Sequence, residues 1–137
     1  MNELTPIPTA MLIDDESIDQ KLYRRVMERS GLVGNVIGFV YPDEALEFLK
    51  QDDRPTIDVI FLDINMPRMS GFEFLEEAEK QLGPDFARMV VVMLTTSLAG
   101  QDLERARGFD VVKEYFNKPL SQHHIAETAE MLAQLKS

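Results

Sequence analysis

The sequence predicts an α/β sandwich, doubly wound around a five-stranded parallel sheet with five helices. Three observations predict it. Short apolar runs of strand length alternate with amphipathic segments at helical spacing along the 137 residues, and the connections between them are short. Right-handed crossovers then place helices on both sheet faces. Finally, Asp14, Asp15, Asp63, Thr95 and Lys118 each stand at the end of an apolar run, just before a polar turn. In a parallel sheet those ends share one edge, so five distant residues converge on one pocket.

The elements follow in order. Ala10–Ile13 reads as a buried strand, with Met1–Thr9 as a tail and 10–137 as one domain. Ser17 and Gln20 form the pattern of a capping box. Ile18, Leu22 and Val26, with Tyr23 and Met27, give one apolar helix face, and Gly31 supplies the stop. Val36–Val40 is the second strand. Pro42 opens the next helix where its missing N–H costs nothing, with Ala45, Leu46 and Leu49 inward. Ile57–Leu62 is the third strand, apolar as expected when both faces are covered. After the Met66-Pro67 turn, Phe72, Leu75 and Ala78 mark the third helix. Met89–Leu94 is the fourth strand, and Leu98–Arg107 the fourth helix, with Leu103 and Ala106 inward. Val111–Asn117 holds the fifth strand. Ser121 caps a last helix with Ile125, Ala129, Leu132 and Leu135 along one side. No internal repeat, low-complexity segment or linker interrupts this pattern.

Composition bounds the function. The absence of cysteine excludes disulfides and thiolate metal sites. No stretch approaches the ~20 apolar residues of a membrane span, and the first residues do not read as a signal peptide. A net charge of −10 argues against direct nucleic-acid binding, which needs a basic face. The expectation is a soluble, cytoplasmic protein with no membrane partner.

Three carboxylates, a hydroxyl and an ammonium at one edge suggest a divalent metal and a phosphoryl group. Asp14, Asp15 and Asp63 held close would repel, and keeping all three ionised requires a cation. A hard ion with oxygen ligands and retained water, Mg²⁺ or Mn²⁺, suits them. Acidic residues after strands also serve as plain helix N-terminal charges, a reading that suffices for Asp14-Asp15 alone but weakens once Asp63 joins them. Lys118, followed by Pro119, can neutralise part of the cluster, hold a phosphoryl oxygen, or make a structural salt bridge to Asp63; these are compatible. Thr95 by itself reads equally as a cap for the next helix.

The segments Met11-Leu-Ile-Asp-Asp15, Phe61-Leu-Asp-Ile-Asn-Met-Pro67, Val92-Met-Leu-Thr-Thr-Ser97 and Tyr115-Phe-Asn-Lys-Pro-Leu120 resemble the receiver domain of two-component response regulators. The similarity runs from about Ala10 to Leu135. The resemblance implies a flavodoxin-like sheet of order 2-1-3-4-5. The chemotaxis receiver is a standard example of that order.

By this resemblance, Asp63 is the phosphoacceptor, receiving a phosphoryl group from a sensor histidine kinase or a histidine phosphotransfer protein. Asp15 is a direct Mg²⁺ ligand beside Asp63 and the backbone carbonyl of Asn65, and Asp14 reaches the metal through water. Lys118 grips the phosphoryl group, Thr95 is the switch hydroxyl, and Tyr115 is the aromatic that changes rotamer. The Lys118–Pro119 bond is expected to be cis. The domain is expected to stand alone, to be no enzyme beyond assisting its own phosphorylation and dephosphorylation, and either to dock a separate downstream protein or to relay the phosphoryl group. Its output surface would comprise the fourth helix, fifth strand and last helix, around Lys113 and Tyr115.

Some positions depart from the family pattern. Thr96 is bulkier than the usual small residue and is expected to crowd the approach to Asp63. Asp110-Val-Val-Lys113, with Gly108 earlier, replaces a Gly-Ala-like turn. His123-His124 read as surface histidines, the eight methionines as packing, and Glu76-Glu77 as a solvated helix face. Two other function classes remain. One is an aspartate-nucleophile phosphohydrolase, which would want a carboxylate where Asn65 stands. The other is a receiver-like interaction module that is never phosphorylated, which commonly lacks a pocket residue; none is lacking here.

Overall fold

The computed structural model describes residues 6–96 and 100–135. Its elements are β1 (Ile7–Ile13), α1 (Ser17–Ser30), β2 (Val33–Phe39), α2 (Pro42–Leu49), β3 (Val59–Asp63), α3 (Gly71–Leu82), α4 (Pro84–Ala87), β4 (Val91–Thr95), α5 (Gly100–Arg107), β5 (Val112–Asn117) and α6 (Gln122–Leu135). The five strands form one sheet of order β2-β1-β3-β4-β5, parallel throughout. This is the flavodoxin-like arrangement. No helix among the described residues is long and apolar enough to cross a membrane.

Strand residues alternate between two cores, as the period of two demands. Met11, Ile13, Ile60, Leu62, Val91 and Met93 face α2, α3 and α5, packing with Leu46, Phe72, Leu75 and Ala106. Ala10, Leu12, Val59, Phe61, Val92 and Leu94 face α1 and α6, packing with Tyr23, Met27, Ile125 and Ala129. Burial on both faces explains why the central strands read as unbroken apolar runs.

Several expectations need correction. Six helices stand among the described residues where five were expected, because Pro84–Ala87 makes one turn that seals the core with Phe86, fully buried. Four residues carry no periodicity to read. The expected tail 1–9 already contains strand, since β1 starts at Ile7. Pro8 is tolerated there because β3 pairing begins only at Ala10, leaving that end of β1 with β2 as its single neighbour. On α1 the N-cap is Glu16, without a side-chain cap bond, so Ser17 caps nothing. Tyr23 and Met27 point inward with Gln20, whereas Ile18 (75% exposed) and Leu22 (45%) face out.

A true capping box occurs at Ser70 and Glu73, opening α3. His123 is exposed beside Glu127, but His124 is half-buried and stacks on Phe116 at 4.2 Å. Its Nδ1 accepts the Ser121 N–H, while its own N–H donates to Ser121 Oγ. Glu76 is exposed on α3, as expected of a solvated face, and also pairs with the exposed Arg105 at 3.0 Å. Leu135 is exposed, and Leu98 lies outside the described residues.

Gly71 decides how closely α3 approaches the sheet edge. Its N–H donates to the Ile64 carbonyl at 2.8 Å. A Cβ there would lie 2.7 Å from the Asp63 carbonyl oxygen, and backbone cannot yield as a side chain can. Gly71→Ala should therefore cost about 1–3 kcal/mol. The expected outcome is a lower urea midpoint with unchanged slope.

Candidate functional site

The strand ladder extends one residue beyond several strand ends, and that extension places the site. Asp14 N–H donates to the Phe39 carbonyl at 3.1 Å, Ile64 N–H to Leu94 at 3.0 Å, and Lys118 N–H to Thr95 at 2.7 Å. Asp14, Asp63, Thr95 and Lys118 are thus pinned along one edge by backbone bonds. Gln20 fastens α1 to the same edge. Its buried amide donates to the carbonyls of Leu12, Asp14 and Phe39 at 3.2, 3.1 and 2.9 Å. Gly38 lies directly against its Oε1, where a Cβ would collide.

Asp14, Asp15 and Asp63 each offer a carboxylate oxygen, all within 4.8 Å of one another. Asp14 is fully buried, Asp63 is 3% exposed, and Asp15 is only half-buried. The Lys118 ammonium lies 2.9 Å from Asp14 Oδ2, 3.0 Å from Asp19 Oδ2 and 3.4 Å from Asp63 Oδ1. Asp14 Oδ1 also accepts the Glu16 N–H at 3.0 Å, so both its oxygens are engaged. Asp63 Oδ1 accepts the Asn65 N–H at 3.3 Å.

The electrostatics follow from this crowding. Burial and then the neighbouring Asp14 carboxylate push the Asp63 pKa up to about 6, against the pull of Lys118 and the Asn65 N–H. Burial also raises Asp14, opposed by the Glu16 N–H and by Lys118. Burial works against the Lys118 charge, but its bonds to Asp14 and Asp19, with the field of Asp63, prevail and raise its pKa. Of the three close carboxylates, Lys118 reaches only Asp14 and Asp63 and is shared with Asp19, so the cluster is short of positive charge. Its all-oxygen, hard donor set fits Mg²⁺ or Mn²⁺.

The residues singled out in the sequence are distributed as follows. Asp14, Asp15, Asp63 and Lys118 come together. Thr95 ends β4, buried, with its carbonyl held by Lys118. Asn65 reaches the cluster through its N–H. Tyr115 is half-buried on β5 and its hydroxyl donates to the Leu103 carbonyl of α5 at 2.7 Å. Thr96 is exposed, and Lys118–Pro119 is cis.

Lys113 is exposed at an irregularity, where Val91 pairs Val112 but Val92 pairs Glu114. Sequence reasoning missed Gln20 as a clamp and Asp19 as a partner of Lys118. Asp19 stands in the first turn of α1 and meets Lys118 across 99 residues, so no local spacing signalled the pairing.

Because the raised Asp63 pKa favours the neutral form on folding, its ionisation opposes stability. The penalty is absent below the unfolded value of 3.8 and complete above about 6. Asp63→Asn should therefore stabilise the metal-free protein at pH 7 by about 1–2 kcal/mol, with the gain vanishing as pH falls below the unfolded value. Urea midpoints across that pH range check it.

Comparison with known proteins places this geometry. The profile described as response regulator receiver domain matches residues 10–130. An uncharacterized response regulatory protein of Vibrio cholerae is 32% identical over 124 residues, covering 90% of this chain and 48% of that protein. The chain thus spans about half the length of that relative. The response regulator Rcp1 of Synechocystis is 32% identical over 100 residues, covering 70% of this chain and 67% of that one. Among solved structures, a two component response regulator from Cytophaga hutchinsonii superposes with a TM-score of 0.84 at 23% identity, covering 94% of this chain and 98% of the other. The chain belongs to the response regulator receiver domain family of two-component signal transduction.

Proposed function

We propose that this receiver is a phosphorylation-dependent switch whose acceptor is Asp63, and that it acts in the cytoplasm. One observation carries the reading: Asp63 is buried at the end of β3, between two further carboxylates and the Lys118 ammonium. A histidine kinase or histidine phosphotransfer protein would supply the phosphoryl group. An Asp63 oxygen attacks phosphorus, the P–N bond to the donor histidine breaks, and an acyl phosphate forms on Asp63. Phosphoryl transfer asks mainly for alignment and cancellation of charge. Mg²⁺ held by Asp15, Asp63 and the Asn65 carbonyl, with Asp14 reaching it through water, would neutralise charge on the phosphoryl oxygens. Lys118 supplies the second positive centre.

The Thr95 hydroxyl, at the end of β4, would donate to a phosphoryl oxygen once one is present. Tyr115 lies two residues before Asn117, which pairs with Thr95, and its hydroxyl is anchored on α5. A shift at Thr95 can therefore bias that anchor and the surface of α5, β5 and α6. The output would be altered docking of a separate protein, or onward transfer of the phosphoryl group. Retention of every pocket residue favours this reading over an unphosphorylated module. Asn65, in place of a second carboxylate, favours it over a phosphohydrolase.

With Mg²⁺ and a small phosphodonor, intact mass should rise by one phosphoryl group, and Asp63→Asn should abolish the gain. Asp15→Ala should lose Mg²⁺ binding by calorimetric titration together with most of the labelling. Stoichiometric labelling that survives Asp63→Asn would overturn the assignment.

A further inference from the structure

Lys118 has three ammonium N–H donors, and a carboxylate stands near each: Asp14 at 2.9 Å, Asp19 at 3.0 Å and Asp63 at 3.4 Å. The longest contact is the one to the proposed acceptor. Asp19 is not among the three carboxylates that converge on a possible metal. It belongs to α1, and its side chain is 26% exposed, so it faces the pocket from the side.

A lysine stem has several soft torsions. Held by Asp14 alone, the ammonium could pivot about a single contact. Asp14 would also divide its charge between Lys118 and a metal. Asp19 is the anchor for which the metal does not compete.

We infer that Asp19 is a positioning residue for Lys118. With Asp14 it fixes the ammonium, so that the remaining N–H is aimed at the Asp63 oxygen where the phosphoryl group is built. On phosphorylation that N–H passes to a phosphoryl oxygen, while the bonds to Asp14 and Asp19 persist. Asp19 also adds a negative charge that repels an anionic phosphodonor. Its presence is therefore an orienting gain set against an electrostatic loss. This inference rests on Asp63 being the acceptor.

The test follows Asp63 labelling by intact mass over a range of phosphodonor concentrations with Mg²⁺. Wild type is compared with Asp19→Ala, Asp19→Asn, Lys118→Ala and the double Asp19→Ala/Lys118→Ala. Asp19→Ala should lower the maximal rate about 10-fold without raising the half-saturating donor concentration, since orientation rather than binding is lost. Asp19→Asn keeps an acceptor oxygen and should recover most of the rate. In the Lys118→Ala background, Asp19→Ala should add nothing, because residues acting through one another are non-additive. Mg²⁺ affinity by calorimetry should stay within about 3-fold of wild type in Asp19→Ala.

An unchanged or faster Asp19→Ala rate, an Asp19→Asn rate as low as that of Asp19→Ala, or an equal loss added to Lys118→Ala overturns the inference. A larger change in Mg²⁺ affinity overturns it too, by making Asp19 a metal residue. Wild type that takes no phosphoryl group on Asp63 overturns the acceptor assignment instead, a result distinct from all of these.

Discussion

The ammonium of Lys118 is what allows this pocket to exist in a folded protein. Asp14 and Asp63 are taken out of water at the end of a close-packed sheet, with Asp15 and Asp19 beside them. Buried carboxylates so close together repel, and their desolvation is costly. Lys118 answers part of that charge by touching Asp14, Asp19 and Asp63 together. The balance is incomplete, as the raised pKa of Asp63 records. A site left short of positive charge is well suited to a divalent cation, whose binding would offset the cost borne by the metal-free fold.

Holding charges in that arrangement requires a stiff support. The sheet provides it through ladder bonds that run past the strand ends to Asp14, Ile64 and Lys118. Two cores clamp the sheet from opposite faces. Gln20 ties α1 to the carbonyls beneath Asp14, and Gly71 lets α3 start almost in contact with the Asp63 backbone. The side chains at this edge differ in exposure, but each leaves a backbone with little freedom.

The same backbone offers a route outward in the proposed switch. The Thr95 carbonyl receives the Lys118 N–H, and Thr95 pairs with Asn117 on β5. Tyr115, on that strand, bonds the α5 backbone at Leu103. Any adjustment between Thr95 and Lys118 is therefore felt by β5, and β5 is joined to α5 by a hydrogen bond that can be kept or exchanged. Tyr115 and exposed Lys113 belong to this region rather than to the acidic cluster.

The amino-acid sequence by itself determined the alternation of strands and helices and the apolar faces of α2, α3 and the central strands. It also put Asp14, Asp15, Asp63, Thr95 and Lys118 on a common edge. These are properties of local pattern: period, run length and the residue type that ends each run. Tertiary structure alone decided the rest, because packing partners distant in sequence set it. It turned Ile18 and Leu22 outward and drew Gln20 inward, since the open carbonyls of β1 and β2 outweighed the apolar stripe. It converted Pro8 into strand at a place where β3 does not reach, and made His124 a cap against Phe116. It also brought Asp19 to Lys118, a pairing across 99 residues that no local pattern encodes.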